Sequence, residues 1–134
     1  RAVDDRGCAF IVLEALKRAK EKGCKIGIVT TKYHYRIDAI LEKFDMTDMV
    51  DMIVGGDEVK TPKPDPEGLL YAIDHLGLDK RDILYVGDSV VDAKTAQSAE
   101  VDFAGVLTGT TSAKDFASYD SVCIAKDLYA IEKI

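Results

Sequence analysis

The segment Ile83-Leu-Tyr-Val-Gly-Asp-Ser-Val-Val-Asp92 joins a short apolar run to a polar turn, and a helical pattern follows the turn. The run is short enough for a strand. It does not alternate strictly between apolar and polar residues, as expected of a strand buried on both faces. Two carboxylates, Asp88 and Asp92, come directly after it. Because ligands of parallel α/β sheets bind beyond the carboxyl ends of the strands, the segment predicts both a fold class and a site.

Four further runs of the same kind occur, at Lys25–Thr30, Asp51–Gly55, Phe103–Leu107 and Ser121–Ile124. Helical patterns lie between them, because apolar residues there recur every three to four positions and share one helix face. Strands that alternate with helices predict right-handed crossovers and a parallel, doubly wound sheet, which is an α/β fold. The predicted helix faces comprise Val12, Ala15, Leu16 and Ala19; Ile37, Ile40, Leu41 and Phe44; Leu69, Leu70, Ile73 and Leu76; and Ala93, Ala96 and Ala99.

The composition is that of one small domain. The 134 residues carry 18 Lys and Arg against 24 Asp and Glu, a formal net charge of −6 at pH 7. This acidity argues against nucleic acid or an anionic membrane surface as a partner, because both attract concentrated positive charge. The longest apolar stretch, Cys8–Leu13, is six residues, whereas a membrane-spanning helix needs about 20. The three cysteines form no Cys-x-x-Cys pair, so we expect a reducing, cytoplasmic location.

Two other segments carry groups that can bind phosphate. They are the end of the first predicted strand and a loop that contains a lysine between two prolines. Thr30 and Thr31 stand at the end of the first predicted strand. A hydroxyl beside free backbone N–H groups can hold a phosphate oxygen, although either threonine could instead cap the next helix. Lys63 lies between Pro62 and Pro64, which restrict the backbone on either side. A lysine held in this way can serve as a point charge for a phosphate or a carboxylate, or it can be an ordinary solvated loop residue.

Asp88 and Asp92 are the candidate metal ligands. Two carboxylates at the carboxyl end of a strand suit Mg²⁺, which accepts one or two protein carboxylates together with waters and substrate phosphate. Ser89-x-x-Asp92 also matches a variant of the capping box, in which Asp92 folds back onto the start of its own helix. That interpretation leaves Asp88 unexplained, since a carboxylate at the end of a buried strand is costly without a cation or hydrogen-bond donors. We therefore favour a metal site.

Taken in order, three features resemble the second, third and fourth motifs of the haloacid dehalogenase superfamily: the strand ending at Thr30, Lys63-Pro64, and the strand leading into Gly87-Asp88-Ser89-x-x-Asp92. The sequence of these motifs is most similar to the phosphoglycolate phosphatase and pyrophosphatase branch, in Gly27–Lys32, Gly55–Glu67 and Leu84–Ser89. The resemblance covers residues 13–134, with 1–12 as an atypical N-terminal segment. It implies a single Rossmann-like core domain over 1–134, with three αβα layers around a mostly parallel sheet.

The resemblance also implies an activity, which is Mg²⁺-dependent hydrolysis of a phosphate monoester through an aspartyl-phosphate, with a small phosphorylated metabolite as substrate. Thr30 would hydrogen-bond the transferring phosphoryl group, with Thr31 beside it in the phosphate-binding loop. Lys63 would neutralise the nucleophile and the phosphate. Asp88 would ligate Mg²⁺ directly, and Asp92 would hold a metal-bound water or orient Lys63. Phosphoryl transfer depends mainly on such charge neutralisation and positioning.

The first motif of the family, Asp-x-Asp-x-Thr, is absent from the 134 residues. Because that motif supplies the nucleophile and the general acid, we expect a truncated or rearranged core that is inactive alone. The family sheet places the missing strand between those that end at Thr30 and Asp88. Either Cys8–Leu13 fills the gap, the two strands pair directly, or a partner chain covers it, for example in a homo-oligomer.

Two other functions stay open. A signalling receiver domain also has an acidic pocket, which Asp4-Asp5 could suggest, and a Lys-Pro pair. A receiver would place that pair after its last functional strand, whereas Lys63-Pro64 precedes Gly87-Asp88. A non-catalytic binding or assembly module is the third class, because the nucleophile motif is missing. In this superfamily a cap usually selects the substrate, and the sequence contains no recognisable cap, so the substrate is not predicted.

Overall fold

The computed structural model describes residues 17–107, 111–121 and 123–125. Within them, strands and helices alternate. Their order is β1 (Gly27–Val29), α1 (His34–Lys43), β2 (Met52–Val54), α2 (Glu67–Leu76), β3 (Leu84–Gly87), α3 (Val90–Ala99), β4 (Asp102–Val106), α4 (Ala113–Phe116) and β5 (Cys123–Ala125). A helical stretch also covers 17–21. The strand pairs of these ranges are parallel, so the predicted α/β fold is confirmed. The segments Asp4-Asp5 and Cys8–Leu13 lie outside the described residues.

The strands form two separate sheets in the described part of the chain. β1 pairs with β2, whereas β3, β4 and β5 form a second sheet in that order. β1 and β3 do not pair there, so direct pairing across the gap between them is wrong. The prediction of burial on both faces holds for β4, but Gly27 of β1 and Leu84 of β3 are exposed. In the described residues, β1 and β3 each have a neighbouring strand on one side only, and Gly27 and Leu84 are the first residues of these strands.

Helices pack on both faces of the first sheet. Consecutive strand residues point to opposite faces, and here Ile28 and Ile53 pack against Ile37 and Leu41 of α1. Val29 packs instead into the larger core, which includes the buried face of α2. This arrangement gives the helix, sheet and helix layers that the family resemblance implies.

Three of the four predicted helix faces lie in the described residues and are largely correct, whereas Val12, Ala15 and Leu16 of the first lie outside them. The predicted face of α3 is fully buried and comprises Ala93, Ala96 and Ala99. In α1, Ile37 and Leu41 are buried, but Ile40 is 39% exposed. At 3.6 residues per turn Ile40 lies about 100° around the helix from Leu41, at the margin of the apolar face. No helix of the described ranges is long and apolar enough to cross a membrane.

Two helices end on a residue in the left-handed conformation. α2 ends at Gly77, with φ of 69°, and glycine adopts this conformation without steric cost. α3 ends at Glu100, with φ of 62°. A Cβ is unfavourable there, so this helix end is less favourable than that of α2.

Candidate phosphate and metal site

Thr30 comes directly after β1, at the carboxyl end of the strand. Its backbone N–H donates to the carbonyl of Val54 at 3.0 Å, which continues the pairing with β2. Its Oγ1 accepts the backbone N–H of Lys32 at 3.1 Å. That bond uses a lone pair of the hydroxyl and leaves the hydroxyl proton available to an anion.

The helix that follows Thr30 is capped from another loop. α1 begins at His34, whose backbone N–H donates to Oδ1 of Asp57 at 2.9 Å. Its N-cap residue, Tyr33, makes no side-chain capping bond. The alternative that Thr30 or Thr31 caps this helix is therefore wrong. Thr31 is exposed, so the end of β1 presents hydroxyls that helix capping does not use.

Lys63 reaches the same place from the loop between β2 and α2. A small pocket is lined by both Thr30 and Lys63. The first residue of α2, Glu67, fixes the middle of this loop, because its carboxylate accepts the N–H groups of Lys60 at 2.9 Å and Thr61 at 3.1 Å. The structure therefore brings Thr30 and Lys63 to the lining of one small pocket.

Asp92 is the ion-pair partner of Lys63. Nζ of Lys63 lies 2.7 Å from Oδ1 of Asp92, and the two side chains are only 17% and 9% exposed. Oγ of Ser89 donates to Oδ2 of Asp92 at 3.0 Å and accepts the Asp92 N–H at 3.3 Å. Ser89 thus caps α3, as the capping interpretation predicts. Both carboxylate oxygens of Asp92 therefore have partners in this chain: Oδ1 contacts Lys63, and Oδ2 contacts Ser89.

Two residues of β3 determine where the Asp92 side chain lies. A Cβ on Gly87 would lie 2.2 Å from Cβ of Asp92, so only glycine fits at that position. The buried hydroxyl of Tyr85 lies 3.4 Å from Oδ1 of Asp92 and 3.5 Å from the carbonyl oxygen of Val29. Burial raises the pKa of Tyr85, and the Asp92 charge raises it further, so the hydroxyl stays protonated and donates.

Sequence reasoning missed Tyr85 and Glu67. A tyrosine inside an apolar run is typical of a packed strand residue, and no local pattern indicates that it faces a carboxylate on the following helix. Glu67 follows Asp65-Pro66, which predicts a helix start, but its bonds reach backward to the loop rather than into the helix.

Asp88 differs from Asp92 in its surroundings. It follows Gly87 at the carboxyl end of β3 and is exposed. Across the described ranges, its carboxylate has no hydrogen bond or ion pair. A carboxylate with open oxygens fits Mg²⁺, which takes one or two protein carboxylates with waters and phosphate oxygens. Asp92, whose oxygens contact Lys63 and Ser89, fits the role of orienting the lysine better than that of a direct ligand.

The described residues contain no group of three or more His, Cys, Asp or Glu side chains arranged to hold a metal ion. A cation at Asp88 would therefore need oxygens from water and from a bound phosphate. This dependence is compatible with Mg²⁺, which usually keeps several waters.

Comparisons with known proteins identify the family of the chain. The sequence model of the haloacid dehalogenase-like hydrolase family matches residues 11–106. Pyrophosphatase PpaX from Bacillus velezensis is 34% identical over 109 residues, which cover 81% of this chain and 50% of that protein. A phosphoglycolate phosphatase from Rhodobacter capsulatus is 38% identical over 92 residues, which cover 69% and 41%. The chain thus spans about half the length of the curated relatives it matches.

The fold agrees as well. The crystal structure of a haloacid dehalogenase-like hydrolase from Bacteroides fragilis has a TM-score of 0.87 to this chain at 44% identity, covering 89% of this chain and 57% of that one. Family match, fold and the order of Thr30, Lys63 and Asp88 lead to one conclusion. The chain belongs to the haloacid dehalogenase-like hydrolase family.

Proposed function

We propose that this chain forms the phosphate-binding and Mg²⁺-binding part of a cytoplasmic phosphatase that acts on a small phosphorylated metabolite. The observation that carries the proposal is the pocket that Thr30 and Lys63 share, with the lysine held by Asp92. A hydroxyl donor beside an ammonium group suits a phosphate dianion. Relatives named phosphoglycolate phosphatase and pyrophosphatase support the reaction class.

Each residue then has a defined task. The Thr30 hydroxyl donates a hydrogen bond to a phosphoryl oxygen. Lys63 neutralises the charge of the phosphoryl group during its transfer. Asp92 holds the lysine in place, and the Tyr85 hydroxyl contacts Asp92. Asp88 would hold Mg²⁺, which neutralises phosphate charge when bound. None of these residues supplies a nucleophile in its assigned role.

The nucleophile is proposed to come from a strand between β1 and β3. In the described residues, these strands pair with β2 and β4 only and leave their facing edges without a partner. The strand would belong to another segment of the protein or to a partner chain. A second copy of this chain could cover the gap but could not supply that nucleophile. The 134 residues contain no Asp-x-Asp-x-Thr, so we expect this chain alone to bind phosphate and Mg²⁺ without turnover.

Binding of inorganic phosphate, with and without Mg²⁺, tests the site directly. We expect amide chemical shifts to change around Thr30 and Asp88 in nuclear magnetic resonance titrations. Lys63→Met and Thr30→Val are expected to weaken phosphate binding about tenfold or more, because a hydrogen bond to a charged group contributes about 1.5–3 kcal/mol. Asp88→Asn should remove the effect of Mg²⁺. Lys94→Met is the matched control, since Lys94 is exposed on α3.

Two results would contradict the proposal. Absence of shifts around Thr30 and Asp88 would favour a non-catalytic binding or assembly module. Turnover of an aryl phosphate by this chain, abolished in Asp88→Ala, would show that the chain carries its own nucleophile.

A further inference from the structure

The His34 side chain lies between carboxylates from two parts of the chain. Its Nδ1 contacts Oε1 of Glu58, in the loop after β2. Its Nε2 lies 3.4 Å from Oδ2 of Asp38, one turn along α1. Its backbone N–H donates to Asp57, next to Glu58. His34 therefore joins the start of α1 to the loop that leads toward Lys63.

The two loops also meet through their backbones. The N–H of Gly56 donates to the carbonyl of Lys32 at 2.8 Å. A Cβ on Gly56 would lie 2.2 Å from the Thr31 carbonyl oxygen, and one on Gly55 would lie 2.5 Å from the His34 nitrogen. Glycine is thus required for this approach. It places the segment 30–32, which carries the hydroxyls proposed to bind phosphate, directly against the loop 55–58.

Glu58 is fixed on its own side of this contact. Its Oε1 accepts the N–H of Gly55 at 2.9 Å and also meets the His34 ring. The carboxylate is therefore positioned before it reaches the histidine. A change in the charge of His34 acts on an anchored partner rather than on a free side chain.

We propose that protonated His34 is a positioning residue that holds segment 30–32 against loop 55–58, and so makes anion binding at Thr30 depend on pH. The anion-binding part rests on the proposed function, whereas the contact between the two loops does not.

The charges around the ring support this role. Both ring nitrogens face carboxylates, and only the imidazolium form can donate from both. The charged groups that face the ring are Glu58 and Asp57 from the loop after β2 and Asp38 from α1. The hydrogen bond with Glu58 raises the pKa of His34 most, and all three charges raise it further, while desolvation opposes them. The contact is therefore strongest below about pH 6.5, the usual histidine value, and weakens as the pH rises through the raised value, because neutral imidazole donates from one ring nitrogen only.

The chain offers an internal control, because His75 is its other histidine and stacks on Tyr71 of α2, with ring centroids 5.9 Å apart. We would compare wild type with His34→Gln, Glu58→Gln and His75→Gln. Glu58→Gln keeps an oxygen for the Gly55 N–H but removes the charge. The measurements are the histidine titrations by nuclear magnetic resonance, the hydrogen-exchange protection factor of the Gly56 amide, and binding of inorganic sulfate. Sulfate stays dianionic over this range, whereas phosphate takes up a proton near neutrality.

We expect Gly56 protection and sulfate affinity to fall several-fold together as His34 loses its proton. We expect this pH dependence to disappear in His34→Gln, shift to lower pH in Glu58→Gln and persist in His75→Gln. A Gly56 protection factor that stays constant across the His34 titration, or pH dependence retained in His34→Gln, would overturn the proposal. If sulfate binds wild type at no pH, the proposed function and the anion-binding part both fail, and Gly56 protection alone decides the contact between the loops.

Discussion

Asp92→Asn is expected to destabilise the protein and release Lys63 while leaving the shape of the site intact. Asparagine has nearly the volume of aspartate and keeps an oxygen to accept the Ser89 hydroxyl. The change thus replaces the charged oxygen that faces Lys63 at 2.7 Å by an uncharged amide NH2, which cannot accept from the lysine. The side chains are 17% and 9% exposed, so the lysine would be left with little water around it.

The magnitude follows from this burial. Breaking a fully buried ion pair costs about 3–5 kcal/mol, and an exposed pair contributes about 0.2–1 kcal/mol. Lys63 has some access to water and a long side chain that can turn toward it, so we expect about 2–3 kcal/mol. At this chain length 1 kcal/mol shifts the melting temperature by roughly 3–4 °C. The expected decrease is therefore about 6–12 °C.

The measurement is a double-mutant cycle of Asp92→Asn and Lys63→Met, followed by thermal and urea unfolding. If the ion pair is responsible for the loss of stability, the sum of the costs of the two single mutants should exceed the cost of the double mutant by about 1–2 kcal/mol. Asp88→Asn is the control. Asp88 is exposed, so its change should stay within about 0.5 kcal/mol.

Additive costs, within about 0.5 kcal/mol, would refute the idea that the pair is coupled. A control variant as unstable as Asp92→Asn would show that the loss has nothing to do with Lys63. In either case Asp92 would become available as a metal ligand, and the assignment of the two carboxylates would change.

Gly56→Ala should destabilise the fold by about 1–3 kcal/mol in urea unfolding, because its Cβ would lie 2.2 Å from the Thr31 carbonyl oxygen; a neutral effect would contradict the close contact. Glu100→Gly should stabilise it by about 1 kcal/mol, since glycine relieves the left-handed conformation at φ of 62°; a lower melting temperature would count against that reasoning. The pKa of Asp51 is held below its usual range by Lys20. Its contribution to the stability of the fold is therefore present above about pH 3.9 and lost as the pH falls through the lowered value. Asp51→Asn should therefore flatten the acid end of the stability profile, and an unchanged profile would contradict it.

The order of strands and helices was predictable because periodicity is local. The buried alanine face of α3 and the strand runs follow from spacing alone. The sequence left open whether β1 and β3 pair directly, since strand pairing depends on residues far apart in the chain. The exposure of Gly27 and Leu84 was not predicted either, because it depends on which segments pack against the strands.

The candidate site shows the same limit. Thr30, Lys63 and Asp88 could be named because each stands beside a strand end or a proline pair. The family resemblance also named Asp92 as a partner of Lys63, but other contacts of the site could not be named, because no local pattern indicates them. Two examples are Tyr85, which reaches Asp92, and Asp57, which caps α1 in place of a threonine.

The separation of the sheets explains why polar contacts matter so much at this site. Lys63 follows β2 of the first sheet, and Asp92 follows β3 of the second. No backbone ladder joins β1 to β3 in the described residues, so the relative position of Thr30 and Asp88 depends on side chains. The Lys63 to Asp92 pair crosses between the two halves, and the Tyr85 hydroxyl does the same from β3 to the carbonyl of Val29. Because such contacts are weaker than a paired strand, a strand inserted between β1 and β3 would increase both the stability of the fold and the order of the phosphate pocket.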